Sequence, residues 1–187
     1  MIQTTCSAVC APAEVPVRSV FVSDLEIRPS RYGAPAAQSL IAMAQAELTE
    51  RYGTPDENPV ESVQFDPPEG AFLVAYRGGV PVACAGWRTL SHFFGDAEIG
   101  DSGLGDDVAE IKRMYAVPDV RGTGVATALL AAIEDSAREQ GMRRMVLETG
   151  QRQPEAIRFY ARSGYGPIAN YGYYRDEPDC VCFGRDL

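Results

Sequence analysis

The segment from Glu110 to Thr127, Glu-Ile-Lys-Arg-Met-Tyr-Ala-Val-Pro-Asp-Val-Arg-Gly-Thr-Gly-Val-Ala-Thr, constrains this chain more than any other. Val108 to Val117 reads as a strand that stops at Pro118, and the turn through Arg121 and Gly122 feeds directly into a helix opening near Thr123. Val125, Leu129, Ile133 and Ala137 recur at every fourth position with Ala126 and Leu130 beside them, which predicts an amphipathic helix reaching Gly141. A strand that runs through a glycine-bearing loop into a helix makes an anion site. The first amides of the helix lack intrahelical acceptors and carry the positive end of the dipole, and glycines let an anion approach the backbone. Gly122 and Gly124 meet that requirement, and Arg121 adds a cation.

The neighbouring segments place this junction in a sheet. Arg143 to Glu148 reads as a short strand and Gln153 to Ser163 as a helix stopped by Gly164. Strand, helix, strand and helix in that order predict a parallel strand pair joined by a crossover. Upstream, Val17 to Asp24 has strand character, and Pro29, Gly33 and Pro35 break the chain before a helix over Ala36 to Tyr52. Leu40, Ile41, Ala44 and Leu48 form its inward stripe, and Gly53 with Pro55 ends it. Ala71 to Tyr76 and Val80 to Trp87 make a hairpin, because the intervening Gly78-Gly79 pair supplies the positive φ of a tight turn. Thr54 to Gly70 reads as a loop or short helix, and Ser91 to Asp107 as a loop. A last strand lies around Cys180 to Phe183, beyond a tyrosine-rich stretch.

At 187 residues the chain has the length of one domain, with residues 1–15 read as a loose arm and residues 16–187 as the folded unit. Its 17 Lys and Arg against 26 Asp and Glu leave a formal charge of −9, which repels a polyphosphate backbone and argues against nucleic acid as a partner. No apolar run approaches the ~20 residues of a membrane-spanning helix, so no membrane partner is expected. Cys6, Cys10, Cys84, Cys180 and Cys182 are odd in number and hold no C-x-x-C pair, which fits a reduced, cytoplasmic setting. With His92 as the single histidine, no metal is expected in the chemistry.

Three phosphate-binding readings compete for the loop. A kinase-type nucleotide loop needs a lysine after the last glycine, and none follows Gly124. A dinucleotide loop fits Gly122-x-Gly124 and an acid at Glu148. Its third glycine is replaced by Thr127, however, and the preceding strand carries Glu110, Lys112 and Arg113 where a doubly wound core is apolar. The third reading is a family resemblance. Arg121-x-x-Gly124-x-Ala126 after a strand and a proline resembles the acetyl-CoA pyrophosphate loop of the GCN5-related N-acetyltransferases, the GNAT superfamily. Gln153-Pro-Glu-Ala-Ile-Arg-Phe-Tyr160-Ala-Arg-Ser-Gly164-Tyr165 resembles the second signature of that family, with Gln153 where many members have Asn.

The resemblance implies an α/β (α+β) fold: a mixed, mostly antiparallel sheet of six to seven strands flanked by about four helices, with a parallel, splayed central pair. It implies acetyl-CoA as co-substrate, its pantetheine arm lying between the splayed strands. By motif position Met114 and Ala116 would offer main-chain groups to the pantetheine, with Tyr115 between them. The amides of Gly122, Thr123, Gly124, Val125, Ala126 and Thr127 would hold the pyrophosphate beside Arg121, and Gln153 would stand close to the cofactor.

The implied activity is acetyl transfer to a primary amine of a small molecule or peptide by direct attack in a ternary complex, in a monomer or homodimer. A non-catalytic acyl-CoA sensor of the same fold is the alternative. An alkyl ammonium with a pKa near ~10.4 must lose a proton before it can attack. Glu110, four residues before Met114, matches the glutamate base of some members. A strand-edge carboxylate paired with Lys112 or an arginine explains the same residue without catalysis. Tyr160 matches the residue that protonates the departing thiolate, and a core tyrosine is its plain alternative. The acidic Thr54–Gly70 stretch and the Tyr171–Asp179 stretch fall where acceptor pockets form in related enzymes. Trp87, His92, Tyr173 and Tyr174 are candidates for an aromatic wall there.

Overall fold

The computed structural model describes residues 20–22, 24–90 and 104–187. The expected arm over residues 1–15, most of the Ser91–Asp107 loop and His92 lie outside the described residues. The elements run β1 (Val20–Val22), β2 (Leu25–Ser30), α1 (Pro35–Tyr52), β3 (Gly70–Arg77), β4 (Val80–Thr89), β5 (Val108–Ala116), α2 (Val125–Glu139), β6 (Arg144–Gly150), α3 (Pro154–Arg162), β7 (Gly166–Ile168) and β8 (Cys180–Asp186). They form one sheet in the order β1-β2-β3-β4-β5-β6-β8-β7, in which only β5 and β6 run parallel among the described strands. This is the mixed, mostly antiparallel architecture that the sequence implied. The three-residue ribbons β1 and β7 bring the strands to eight, and three α-helices flank them among the described residues.

Local chemistry explains the boundaries. Helix α1 ends at Gly53, whose φ of 88° is the left-handed cap, and its N–H reaches back to the Thr49 carbonyl. The 3₁₀ turn at Ser62–Phe65 opens with a reciprocal cap between Glu61 and Gln64. Pro29, expected to break the chain, lies inside β2 opposite Leu73. Among the described residues β1 pairs with β2 over Leu25–Ile27, and β3 pairs with it through Ser30.

Helix α2 covers one face of the sheet and α1 the other. Val125, Leu129, Leu130, Ile133 and Ala137 of α2 are buried against Leu73, Ala85, Trp87, Ile111 and Met145. Each such Leu or Ile contributes roughly 1.5–3 kcal/mol by leaving water. Trp87 belongs to this core and not to an aromatic wall: it is fully buried, and its indole N–H donates to Ser136 Oγ at 3.0 Å. On the opposite face Ala37, Leu40 and Ile41 of α1 pack with Phe65, Phe72, Val74 and Cys84. Ala44 and Leu48 of the expected stripe are only half-buried.

Two irregularities shape the centre. Strands β5 and β6 are in register only at Val108–Glu110 against Arg144–Val146, so they part beyond Glu110 as a splayed pair. Against β4 the register slips by one residue between Cys84 and Gly86, and Arg113 within that bulge has φ 55°. A bulge inverts the alternation of side chains beyond it. Ala109 and Ile111 before it, and Met114 and Ala116 after it, therefore all face α2 and α3. Glu110, Lys112 and Tyr115 face the α1 side.

Candidate active site

The loop into α2 has the form of an anion cradle. Gly122 and Gly124 take φ values of 76° and 90°, a region costly for residues with a Cβ. Around each, the place a Cβ would take is open space. Access and chain direction, not packing, therefore call for glycine. No side chain caps α2. Its ladder starts with the Ala128 N–H on the Gly124 carbonyl, so the amides of Val125, Ala126 and Thr127 precede any intrahelical acceptor. The Val125 side chain is buried, Ala126 half-buried and Thr127 exposed, and Thr123 Oγ1 donates to the Val120 carbonyl at 2.7 Å. Arg121 does not stand free beside these amides. Its Nε donates to the Ala116 carbonyl at 2.9 Å and its terminal nitrogens reach Glu47 of α1 at 2.6 and 3.2 Å.

The slot between β5 and β6 begins beside this loop. Met114 and Ala116 line its β5 edge on the α3 side, and the Tyr160 hydroxyl donates to Met114 Sδ at 3.3 Å. Burial raises the Tyr160 pKa above the usual phenol value, so the group is a neutral donor at physiological pH. Tyr115 turns to the other face, under the Arg121 guanidinium and against the α1 layer. Gln153 stands at the N-terminus of α3, its side-chain amide 3.5 Å from the Tyr52 hydroxyl, which itself lies close over Gly150. Between α2 and α3 a cavity of about 510 Å³ is lined by Thr127, Glu155, Arg158, Arg162 and Arg185.

On the α1 side of the slot lies a buried ionic network. Glu110 is fully buried and accepts from Arg88 Nε at 2.9 Å and from the Tyr171 hydroxyl at 3.2 Å, while Lys112 Nζ lies 3.0 Å away. The ion pair that the sequence offered as its non-catalytic reading is thus built. Arg88 also donates to Gln64 at 2.8 Å. Lys112 reaches a second carboxylate, Glu148 at the splayed end of β6, at 3.0 Å. Glu148 further accepts from the Asn58 side chain at 3.3 Å and the Tyr174 N–H at 3.4 Å. Burial lifts the Glu148 pKa against the pull of Lys112, and the neighbouring Glu110 adds to the rise. Burial also opposes charge on Lys112, but Glu110 and Glu148 outweigh it and hold its pKa above the usual value.

Of the acids before Gly70, Asp56 is engaged within the protein, while Glu57, Glu61 and Asp66 are exposed. Asp56 is bridged to Arg113 and accepts from the Tyr174 hydroxyl at 2.9 Å. That hydroxyl in turn accepts from the Glu57 and Asn58 amides at 2.7 and 3.1 Å. Tyr174 closes this corner, with Tyr173 exposed edge-on beside it. Sequence reasoning did not single out Arg88, Gln64, Asn58 or Tyr171 and met Glu148 only as a ribose-binding acid. The available signal was Glu110 and Lys112 two apart in a strand, two charges on one face that need buried partners.

The match to known proteins decides the family. The description "Acetyltransferase (GNAT) family" fits residues 37–165. The chain belongs to the GNAT acetyltransferase family. It is 30% identical over 143 residues to an IAA acetyltransferase of Azospirillum brasilense, covering 76% of this chain and 85% of the relative. It is 31% identical over 140 residues to the uncharacterized N-acetyltransferase YjgM of Escherichia coli K12, covering 72% and 77%. Two solved GNAT structures share the fold. The GNAT domain of S. lividans PAT superposes with a TM-score of 0.65 at 23% identity over 91% of this chain and 96% of that one. A GNAT family acetyltransferase from Elizabethkingia anophelis with acetyl-CoA bound superposes with a TM-score of 0.59 at 15% identity, over 89% and 100%. As a GNAT member the chain is an acetyltransferase enzyme, and relatives such as YjgM are named N-acetyltransferases. No helix among the described residues is long and apolar enough to cross a membrane.

Proposed function

We propose that this GNAT enzyme is an acetyl-CoA-dependent N-acetyltransferase acting on a primary amine of a small molecule or peptide, in a ternary complex and without a metal in the reaction. One observation carries the reading: an uncapped helix N-terminus with two open glycines adjoins a slot between splayed strands. That slot has a neutral tyrosine on one face and carboxylates on the other. The residues fit acetyl-CoA. The amides of Gly122 through Thr127 would take the pyrophosphate. Arg158 and Arg162 in the cavity between α2 and α3 suit the remaining phosphate and the nucleoside, whereas Arg185 there is paired with Glu134. The β5 edge at Met114–Ala116 would pair with the pantetheine amides, with Gln153 and Tyr115 flanking it.

Acetyl-CoA, when bound, supplies a thioester carbonyl as the electrophile. The chain's own groups then divide the proton traffic across the sheet. Of the two carboxylates facing the slot, we assign the base to Glu148 in preference to Glu110. Glu110 has no exposed surface, and both its oxygens are engaged by Arg88, Lys112 and Tyr171. Glu148 sits where β6 has left β5, and its raised pKa moves it toward the operating range of a general base. Glu110 acts through Lys112, fixing the ammonium that orients Glu148. Tyr160, on the α3 side, holds its proton and donates it to the departing thiolate.

The experiment is paired: thermal stability with and without acetyl-CoA, and thiol release over a panel of amines. A ligand that binds only the folded state stabilises it by about 2.7 kcal/mol at a hundredfold excess over Kd. The expected result is a clear rise in Tm together with amine-dependent thiol release. No rise at millimolar acetyl-CoA overturns the coenzyme assignment.

A further inference from the structure

A pair of thiols in β8 has no part in the chemistry above. Cys180 and Cys182 are two apart in an extended strand, so both leave the same side of it, into the small apolar cluster with Leu90, Val108, Val146 and Tyr171. Glu148 is in register with Cys182 across the β6–β8 ladder and lies on that same face. The two sulfurs are 3.8 Å apart, and a carboxylate oxygen of Glu148 completes a triangle whose three atoms all lie within 4.8 Å of one another.

We propose that Cys180, Cys182 and Glu148 form a binding site for a thiophilic divalent cation of the zinc class, and that its occupation reversibly inhibits acetyl transfer. A tetrahedral zinc with Zn–S bonds of about 2.3 Å has an S···S edge of about 3.8 Å, and with a carboxylate oxygen at ~2.1 Å an S···O edge of about 3.6 Å. The sulfurs already stand at that spacing. The carboxylate closes the remainder by turning about its own side-chain bonds, and water takes the fourth position. Binding releases the two thiol protons to solvent as the thiolates take the metal. Two thiolates and a carboxylate around a dication leave one excess negative charge, which Lys112 Nζ, 3.0 Å from Glu148, offsets. Outer contacts support the ligands: Asn170 donates to the Cys180 carbonyl at 3.2 Å, and Asn58 to Glu148 at 3.3 Å.

A disulfide suits the pair less well. Residues two apart in a strand are separated by about 6.6 Å at Cα, near the far limit of ~6.8 Å for a disulfide. Both cysteines are also held by the β6 ladder. The inhibitory half of the proposal rests on the assignment of Glu148 as base, since a metal-bound carboxylate cannot take a proton from the amine.

The test uses the full chain carrying Cys6→Ser and Cys10→Ser, which removes the only other closely spaced cysteine pair in the sequence. Zinc is titrated in competition with a chromophoric chelator, and cobalt(II) is followed by absorption, both without acetyl-CoA or amine. One equivalent of each metal and a thiolate-to-cobalt charge-transfer band are expected. Cys182→Ser should weaken zinc by about 100-fold or more, since losing even an outer partner costs about 10–100-fold. Glu148→Gln should weaken it at least tenfold while keeping the band. Zinc should inhibit turnover with the midpoint seen in binding, and a chelator should restore it. A cobalt spectrum without the thiolate band, or parental zinc affinity in a folded Cys180→Ser/Cys182→Ser variant, overturns the site and leaves the acetyltransferase reading intact. Zinc that binds at these thiols without slowing turnover overturns the inhibition and counts against Glu148 as base.

Discussion

The Tyr160 hydroxyl donates a hydrogen bond to the thioether sulfur of Met114 across 3.3 Å, joining α3 to the β5 edge of the slot on the face opposite Glu148. In the proposed reaction the proton donor and the proton acceptor would therefore stand on opposite faces of one sheet, and a thioester in the slot would be reached from both. Tyr160→Phe keeps the ring among Phe159 and Tyr165 and forfeits only this weak bond. Stability should fall by about 1 kcal/mol or less. We expect kcat to drop about 100-fold with coenzyme affinity nearly unchanged, read by thiol release and by the acetyl-CoA-induced Tm shift.

Glu148→Gln should lower kcat by about 100-fold and alter the pH profile in a definite direction. Burial places the Glu148 pKa above the ordinary carboxylate value, and only the ionised form accepts a proton. With Glu148 as the proposed base, kcat/KM of the parent enzyme should therefore fall as pH drops through that raised pKa. The variant should lose this acidic limb while retaining the dependence set by ionisation of the acceptor amine. An unchanged acidic limb would remove Glu148 from the role.

Lys112 makes alkaline stability a second pH test. Its folded pKa is raised because Glu110 and Glu148 outweigh the burial penalty. The stabilisation is complete below the unfolded value of ~10.4 and is lost as pH climbs through the higher folded value. Denaturant melts across that range should show the loss in the parent and a smaller one in Lys112→Met. At neutral pH, Glu110→Gln should be strongly destabilising, by about 3–5 kcal/mol, because it leaves buried cations short of a counter-charge.

Gly124→Val forces a β-branched residue to a φ of 90° and fills the open space in front of the α2 amides. The backbone cost is about 1–2 kcal/mol. The acetyl-CoA-induced rise in Tm should vanish while the basal fold survives.

Glu47→Gln tests the contact that holds Arg121 toward α1. With its partner neutralised, the guanidinium can turn to the phosphate loop. Coenzyme affinity measured by calorimetry should rise several-fold, and its salt dependence should steepen as the free arginine meets the diphosphate.

The residues 110–165 carry the most legible part of this protein. A glycine pair before an apolar four-residue repeat fixes the helix and its exposed amides, since both follow from backbone freedom and periodicity within a few residues. The hairpin at Gly78-Gly79, the end of α1 at Gly53 and the position of Tyr160 were legible for the same local reason. The tertiary structure alone decided which faces the chemistry occupies. One extra residue at Arg113 inverts the alternation of β5, so Met114 leaves the face of Glu110 although the two sit at a spacing that an unbroken strand would put on one side. Likewise Glu110, Arg88 and Glu148 come from three strands, and Asp56, Arg113 and Tyr174 from two loops and a strand. Their mutual neutralisation depends on register between distant segments, which no local pattern encodes.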